Sequence, residues 1–205
     1  MQWDTQDEEV KETMVKWSKN FGYSIELEKW QQMWTKNLKL TLATSYKENL
    51  YKMFYRWHLP PSRLAKISAN ISNKCWKCKN QEGTYYHTWW TCDTAKKYWV
   101  KMYTWIKQMT KQEIQFKPET FLLGLIPNNI NKQSYYLISH VLTAARLAWA
   151  QVWKEGDPPK DEVIIKKILE CAEMDRLTKR LKGQEKSTYY ESWNMFYEWW
   201  KAKTL

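Results

Sequence analysis

Along this chain apolar positions recur at three and four residues, the spacing of helices that bury one face, and almost nowhere alternate as an exposed strand would. Val10, Met14, Val15 and Trp17 mark a first helix ending near Phe21-Gly22, with Thr5-Gln6-Asp7-Glu8 as its capping box. Leu27, Trp30, Met33, Trp34 and Leu38 make a second stripe, on a helix opening at Ser24. Tyr46, Leu50, Met53, Phe54 and Trp57 make a third, behind a Ser45-x-x-Glu48 cap, with Lys47, Lys52 and Arg56 on the opposite side. Pro60-Pro61 are expected to stop it, because proline lacks the amide donor and disfavours helix in the preceding residue. Ser62 to Ile67 reads as a short helix. These aromatic stripes read as core, not as a ligand box.

Farther on, Tyr98, Trp99, Met102, Trp105, Ile106 and Met109 predict a helix from about Asp93 to Thr110, capped by Asp93 or Thr94. Phe121-Leu122-Leu123-Gly124 lies in an apolar knot over 116–127, a buried turn or short helix. A long helix is expected from about Lys132 to Trp153, with Tyr136, Leu142, Ala145, Trp149 and Val152 facing inward. Gly156-Asp157-Pro158-Pro159 is the clearest break. Beyond it, Val163, Ile164, Ile168, Leu169, Ala172 and Leu177 mark a helix from Asp161 to Lys182 that Gly183 stops. Thr188-x-x-Glu191 then caps a last helix ending in Trp199-Trp200. The expected fold is mostly α: a multi-helix domain with an embedded CCHC zinc-knuckle-like loop and little or no sheet. Its parts would be an N-terminal helical region with a basic third helix (1–70), the cysteine motif and following helix (71–110), a helical core (111–156) and a C-terminal helical pair (157–205).

The loop stands out chemically. Cys75, Cys78, His87 and Cys92 follow C-x2-C-x8-H-x4-C and use three of the four cysteines. Three thiolates and an imidazole complete a tetrahedral Zn²⁺ set, and a closed set of four is structural rather than catalytic. The competing reading is buried free thiols beside a packed histidine. Gly83 suits a tight turn, and Tyr85-Tyr86 a short extended return to the metal. His58 and His140 have no ligand partners at suitable spacing; His58 reads as a capping or packing residue and His140 as a core or surface histidine. Cys171 is left over, so a disulfide framework is not expected and a reducing intracellular setting is.

Charge sharpens this picture. The net charge is +11, and residues 36–79 carry ten basic groups and one acidic, against four basic and seven acidic in residues 1–35. Such asymmetry beside a metal loop fits a phosphate footprint, although a run of charge is often only a solvated face. Lys52, Arg56, Arg63, Lys66, Lys74, Lys77, Lys79, Lys96 and Lys97 are the candidate phosphate contacts. Trp76 and Tyr85 are candidates to stack on unpaired bases, or alternatively to pack on the metal loop. The chain has no phosphate-cradling glycine loop, no nucleophile elbow and no paired Asp residues in a strand context, so nothing argues for an enzyme. No stretch approaches a membrane span, and no secretory signal precedes the first helix.

Several stretches resemble a known family. Tyr51-Lys52-Met53-Phe54-Tyr55-Arg56-Trp57-His58-Leu59-Pro60-Pro61-Ser62-Arg63-Leu64-Ala65-Lys66-Ile67 is similar to the segment preceding the cysteine motif in LINE-type non-LTR retrotransposons. Cys75-Trp76-Lys77-Cys78 and Glu82-Gly83-Thr84-Tyr85-Tyr86-His87-Thr88-Trp89-Trp90-Thr91-Cys92 are similar to that motif, and Phe121-Leu122-Leu123-Gly124 follows where expected. The chain thus resembles the C-terminal segment of the second open reading frame protein of the LINE-one clade, most specifically over residues 46–126. The resemblance implies an endonuclease and a reverse transcriptase upstream in the intact protein, both absent from these residues. It also implies binding to the element's RNA, a part in ribonucleoprotein assembly and target-primed reverse transcription, and residence in cytoplasmic particles and the nucleus. The alternatives are a helical scaffold docking on the reverse transcriptase or a host protein, and recognition of target DNA.

Overall fold

The computed structural model describes the backbone of residues 2–184 and 186–204, and their side chains other than those of 2–7, 37–39, 186 and 188. Among the described residues there are nine α-helices, one π-helical turn and no strand, the one extended pairing being an isolated antiparallel bridge between Lys74 and Glu82. The helices are α1 (Gln2–Phe21), α2 (Leu27–Leu40), α3 (Thr44–Phe54), α4 (Pro61–Ile67), α5 (Asp93–Thr110), α6 (Pro118–Leu123), α7 (Lys132–Gln151), α8 (Asp161–Leu181) and α9 (Lys186–Thr204). The mostly helical expectation holds. None of the helices is long and apolar enough to cross a membrane.

α7 is the axis of the fold. Leu137, Ile138, Val141, Leu142, Ala144, Ala145, Ala148 and Trp149 are all fully buried, so apolar side chains leave it on every side. A helix that is apolar all round has to be covered all round. α8 runs along it, α5 and α9 pack on it and on each other, and α3 and α6 close the remaining side. Asn131 caps its start, accepting a hydrogen bond from the Ser134 amide at 2.8 Å. The predicted inward stripe of α5 is buried throughout, and α5 has the bounds its pattern predicted.

Several boundaries differ from expectation. α1 begins at Gln2, so Thr5 lies within the helix, and the capping side chains predicted there fall outside the described ones. α2 begins at Leu27, leaving Leu27 exposed; Leu38 is outside the described side chains. α3 begins at Thr44 without a side-chain cap, so Ser45 is not one. α7 stops at Gln151, two residues short of Trp153. α9 begins at Lys186, upstream of Thr188 (itself outside the described side chains), and runs on past Trp200 to Thr204.

The two ends of α3 and α8 are built alike. Gly183 (φ 66°) donates to Arg180 O at 3.1 Å and Gln184 to Lys179 O at 2.9 Å, the paired bonds of a Schellman cap. Arg56 (φ 53°) donates to Met53 O at 3.2 Å and Trp57 to Lys52 O at 2.9 Å, the same pattern with arginine in the left-handed position. A side chain there costs roughly 1–2 kcal/mol. The Arg56 guanidinium offsets this by lying 4.2 Å above the Trp17 ring and donating to Asn20 Oδ1 at 2.7 Å. So α3 ends at Phe54, before the prolines, and Pro61 instead opens α4, where its missing amide costs nothing. The expectation that Pro60-Pro61 stop α3 is corrected, and Trp57, predicted to lie on its buried face, is 69% exposed.

Candidate metal centre and the surface beside it

The ligand loop starts at the Lys74–Glu82 bridge. There the Cys75 amide donates to Gln81 O at 2.9 Å and the Gly83 amide to Asn73 O at 2.8 Å, holding the two limbs together. Cys75 and Cys78 lie on the tight turn between them, closed by Lys79 N–H to Cys75 O at 2.8 Å. Lys79 adopts φ 56° to complete that turn.

Tyr85 and Tyr86 do not form an extended return. Thr84 initiates helix instead, accepting the His87 amide on its hydroxyl at 3.1 Å and the Thr88 amide on its carbonyl at 3.0 Å. His87–Thr91 form a π-helical turn, closed by the Cys92 amide donating to His87 O at 2.9 Å. A π turn closes its hydrogen bond across five residues where an α turn closes across four. That extra residue brings Cys92 back to the side His87 occupies, which is what H-x4-C requires. Trp89 and Trp90 anchor the turn in the core: Trp89 O accepts from Trp99 Nε1 at 2.6 Å, and the Trp90 ring lies 5.0 Å from Phe116.

These elements bring all four ligand atoms within 4.8 Å of one another. Cys75 Sγ is 3.9 Å from Cys92 Sγ, and Cys78 Sγ is 3.3 Å from His87 Nε2. Sulfurs bound to one tetrahedral ion at about 2.3 Å would stand roughly 3.8 Å apart. The four residues could therefore hold a metal ion with no coordination position left over. His87 Nδ1 is 3.2 Å from Thr91 Oγ1, so a proton held there leaves Nε2 free to ligate. Cys92 is the N-cap of α5. Its thiol is pushed well below the ordinary range, first by the hydrogen bond from Cys75 and then by the Thr94 and Ala95 amides at the helix start. Cys75 is pushed the other way, by sharing that proton and by burial, while the Cys78 and Lys77 amides favour its thiolate. Neither Asp93 nor Thr94 is the cap; Cys92 holds that position, without a side-chain capping hydrogen bond.

The structure sorts the predicted nucleic-acid contacts into groups. Arg63 and Lys66 are exposed on α4, three residues apart and hence on one face. Lys79, Lys96 and Lys97 are also exposed, and Lys74 is exposed with its ammonium on Asn80 O at 2.8 Å. Lys52 is half-buried in an ion pair with Glu48 at 2.7 Å. Lys77 has to be withdrawn from the set. It is 8% exposed, lies 4.7 Å from the Trp149 ring, and donates to Val152 O at 2.8 Å and Asp157 O at 2.7 Å. A lysine on those carbonyls caps the C-terminal end of α7 and ties the metal loop to the 152–157 turn. Arg56 is committed to Trp17 and Asn20, and burial lowers it to about 10.

Of the stacking candidates, Tyr85 is buried, its hydroxyl 3.7 Å from Met53 Sδ, and is withdrawn for that reason. Trp76 is half-buried against Trp153, with ring centroids 5.8 Å apart. His58 packs between Trp89 and Trp153, each 5.4 Å away, as expected of a packing residue. The exposed Trp57 was missed because its spacing continues the α3 stripe; only the left-handed Arg56 breaks that stripe, and no sequence signal marks it.

α4 is attached to the metal loop. Ser62 N–H donates to Gly83 O at 3.2 Å, and a Cβ on Gly83 would lie 2.6 Å from Pro61 Cγ. Gly83 is thus needed for close approach, not for its backbone angle. No protein-family model matches the chain.

Proposed function

We propose that this chain is a zinc-bearing, chiefly RNA-binding domain of a LINE-type retrotransposon reverse transcriptase protein, serving ribonucleoprotein assembly and target-primed reverse transcription. Zinc is the metal that suits three thiolates, one imidazole and a closed tetrahedron. One observation carries the binding role. Residues 49–81 hold seven basic and no acidic side chains, and Arg63 and Lys66 stand free on a helix fastened to the metal loop. Lys52 is paired with Glu48, Arg56 lies on Trp17 and Lys77 is buried, so Arg63, Lys66, Lys74 and Lys79 are the exposed cations of this segment that complement a polyanion. The family resemblance over 46–126 supplies the identity of the polyanion as RNA, with target DNA as the alternative ligand. The domain needs no catalytic group of its own for this role.

The test is a binding titration of the zinc-loaded chain against single-stranded RNA, duplex RNA and duplex DNA at two salt concentrations. Single-stranded RNA should bind tightest, with steep salt dependence. Arg63→Ala with Lys66→Ala should weaken it and flatten the salt slope by roughly 0.7 per lost phosphate contact. Gly83→Ala should weaken it as well while zinc content is unchanged, because α4 is displaced and the ligands are not. Salt-independent binding, or no effect of the double variant, would remove this face from the account.

A second reading has its own support. Met174, Leu177 and Leu181 are exposed at helical spacing on α8, with Tyr190 of α9 also exposed. That strip favours docking of the helical part on a protein partner, such as the reverse transcriptase of the same polypeptide.

A further inference from the structure

We infer that Trp57 is the base-stacking platform of this domain and that it confers preference for unpaired nucleic acid. The inference rests on the proposed polyanion-binding role and deepens it. Trp57 is 69% exposed, an unusual condition in a chain where Trp17, Trp89, Trp99, Trp149 and Trp193 are fully buried. Its backbone is nevertheless fixed, since its amide closes the α3 cap on Lys52 O at 2.9 Å. The residue before it is held in turn by the Trp17 ring and Asn20. A large flat ring on a rigid backbone loses little freedom when a base lies on it.

The neighbourhood favours a nucleic acid over other occupants. Tyr51, on α3, and Tyr55, the residue that caps its C-terminal end, are 49% and 39% exposed with near-parallel rings (7°) and centroids 6.4 Å apart. Arg63 and Lys66 follow, exposed on α4, while Lys52 is held by Glu48 and Arg56 by Trp17 and Asn20. Exposed aromatic faces followed by the exposed cations of α4 match a strand of bases joined by phosphates. A paired duplex hides its base faces and would leave this ring unused.

The experiment compares wild type, Trp57→Ala and Trp57→Phe, all zinc-loaded, for binding to a twelve-nucleotide oligouridylate, a twelve-pair RNA duplex and vesicles of phosphatidylserine. Exposure of Trp57 leads us to expect unchanged thermal midpoints and zinc content. Trp57→Ala should weaken oligouridylate binding about tenfold or more, with the salt slope unchanged and duplex binding the same. Trp57→Phe should retain most of the affinity. Equal oligouridylate affinity in Trp57→Ala and wild type overturns the inference, while a loss in the Arg63→Ala, Lys66→Ala variant would still leave the polyanion-binding role standing. Loss of vesicle binding with oligouridylate binding intact overturns it in favour of a membrane surface. Equal weakening toward strand and duplex also overturns it, since a stacking platform discriminates between them.

Discussion

Arg146 and Arg63 lie in two regions of the molecule assembled on different terms. Arg146, in the interior between α3, α6 and α7, is 4% exposed and has every guanidinium nitrogen matched: Nε to Asn49 Oδ1 at 3.0 Å, Nη1 to Phe121 O at 3.0 Å and Nη2 to Thr143 Oγ1 at 2.8 Å. Its acceptors are all neutral, and burial lowers it to about 10. Arg63 stands in water on a seven-residue helix that could not persist alone. In the interior, apolar burial fixes the helices first, and polar groups trapped there must be satisfied in place. Around residues 55–92 little regular structure is available; a few backbone bonds shape the loop and bring together four side chains that could hold a metal ion. Its outer cations are free for a partner because the fold does not use them.

Removing the zinc proposed for this loop tests that contrast with the largest expected effect. Structural zinc contributes on the order of 10 kcal/mol to such loops at neutral pH. Chelation, or Cys78→Ser, should therefore abolish metal stoichiometry and speed amide exchange across 68–92. The amides of α7 and α8 should remain protected. Uniform loss of protection in both regions would show that they are one cooperative unit.

The interior has its own weak point at Asp175. It is fully buried, with Trp193 Nε1 donating to Oδ2 at 2.8 Å, the Tyr136 hydroxyl to Oδ1 at 2.5 Å, and Lys179 Nζ 3.6 Å from Oδ2. Asp175→Ala would leave those donors without their acceptor and should destabilise the chain by about 3–5 kcal/mol. Denaturant unfolding at constant zinc reads this, and metal content should not change.

His140 gives that interior a pH signature. Burial holds it neutral and lowers it to about 4; nearby Asp175 opposes this and Lys179 adds to it. The unfolded chain takes up this proton near pH 6.5 and the folded chain only near 4. Stability from this group is therefore complete above about 6.5 and falls through that interval, by about 3 kcal/mol in all. His58 shifts in the same direction and acts over the same window. Unfolding of wild type and His140→Gln from pH 7 to 4 isolates the first contribution: the wild-type curve should drop more steeply.

The smallest effect sharpens the boundary between the regions. Lys77→Met leaves the Val152 and Asp157 carbonyls without their donor and should cost about 1–3 kcal/mol, with RNA affinity at fixed temperature unchanged. Lys79→Ala, two residues away, should leave stability within about 0.5 kcal/mol and act on RNA affinity alone. Equal behaviour of the two variants would erase the distinction between structural and free lysines in the loop.

Much of this was legible in the chain. Apolar spacing of three and four residues dictates helices, because that period places side chains on one face, and α5 is bounded as its stripe and flanking residues require. The four candidate ligands were legible because their spacing is local chemistry, and the fold does bring them together. The domain division at Gly156-Pro159 was read from turn residues, yet Lys77 crosses to that turn and the apolar residues of α8 and α9 share an interior with those of α5 and α7.

What only the tertiary structure decided was the use of each cation and ring. Lys77 and Lys79 are the same residue type in the same motif, and their fates diverge because carbonyls some 75 positions away receive one of them. Trp57 continues the period of Phe54 and Met53, yet Arg56, turned left-handed under the hold of Trp17 and Asn20, puts it outside. Periodicity records how a helix meets its neighbours and is silent where the helix ends. There, contacts between residues far apart in the chain determine which side chain is buried and which remains to meet a ligand.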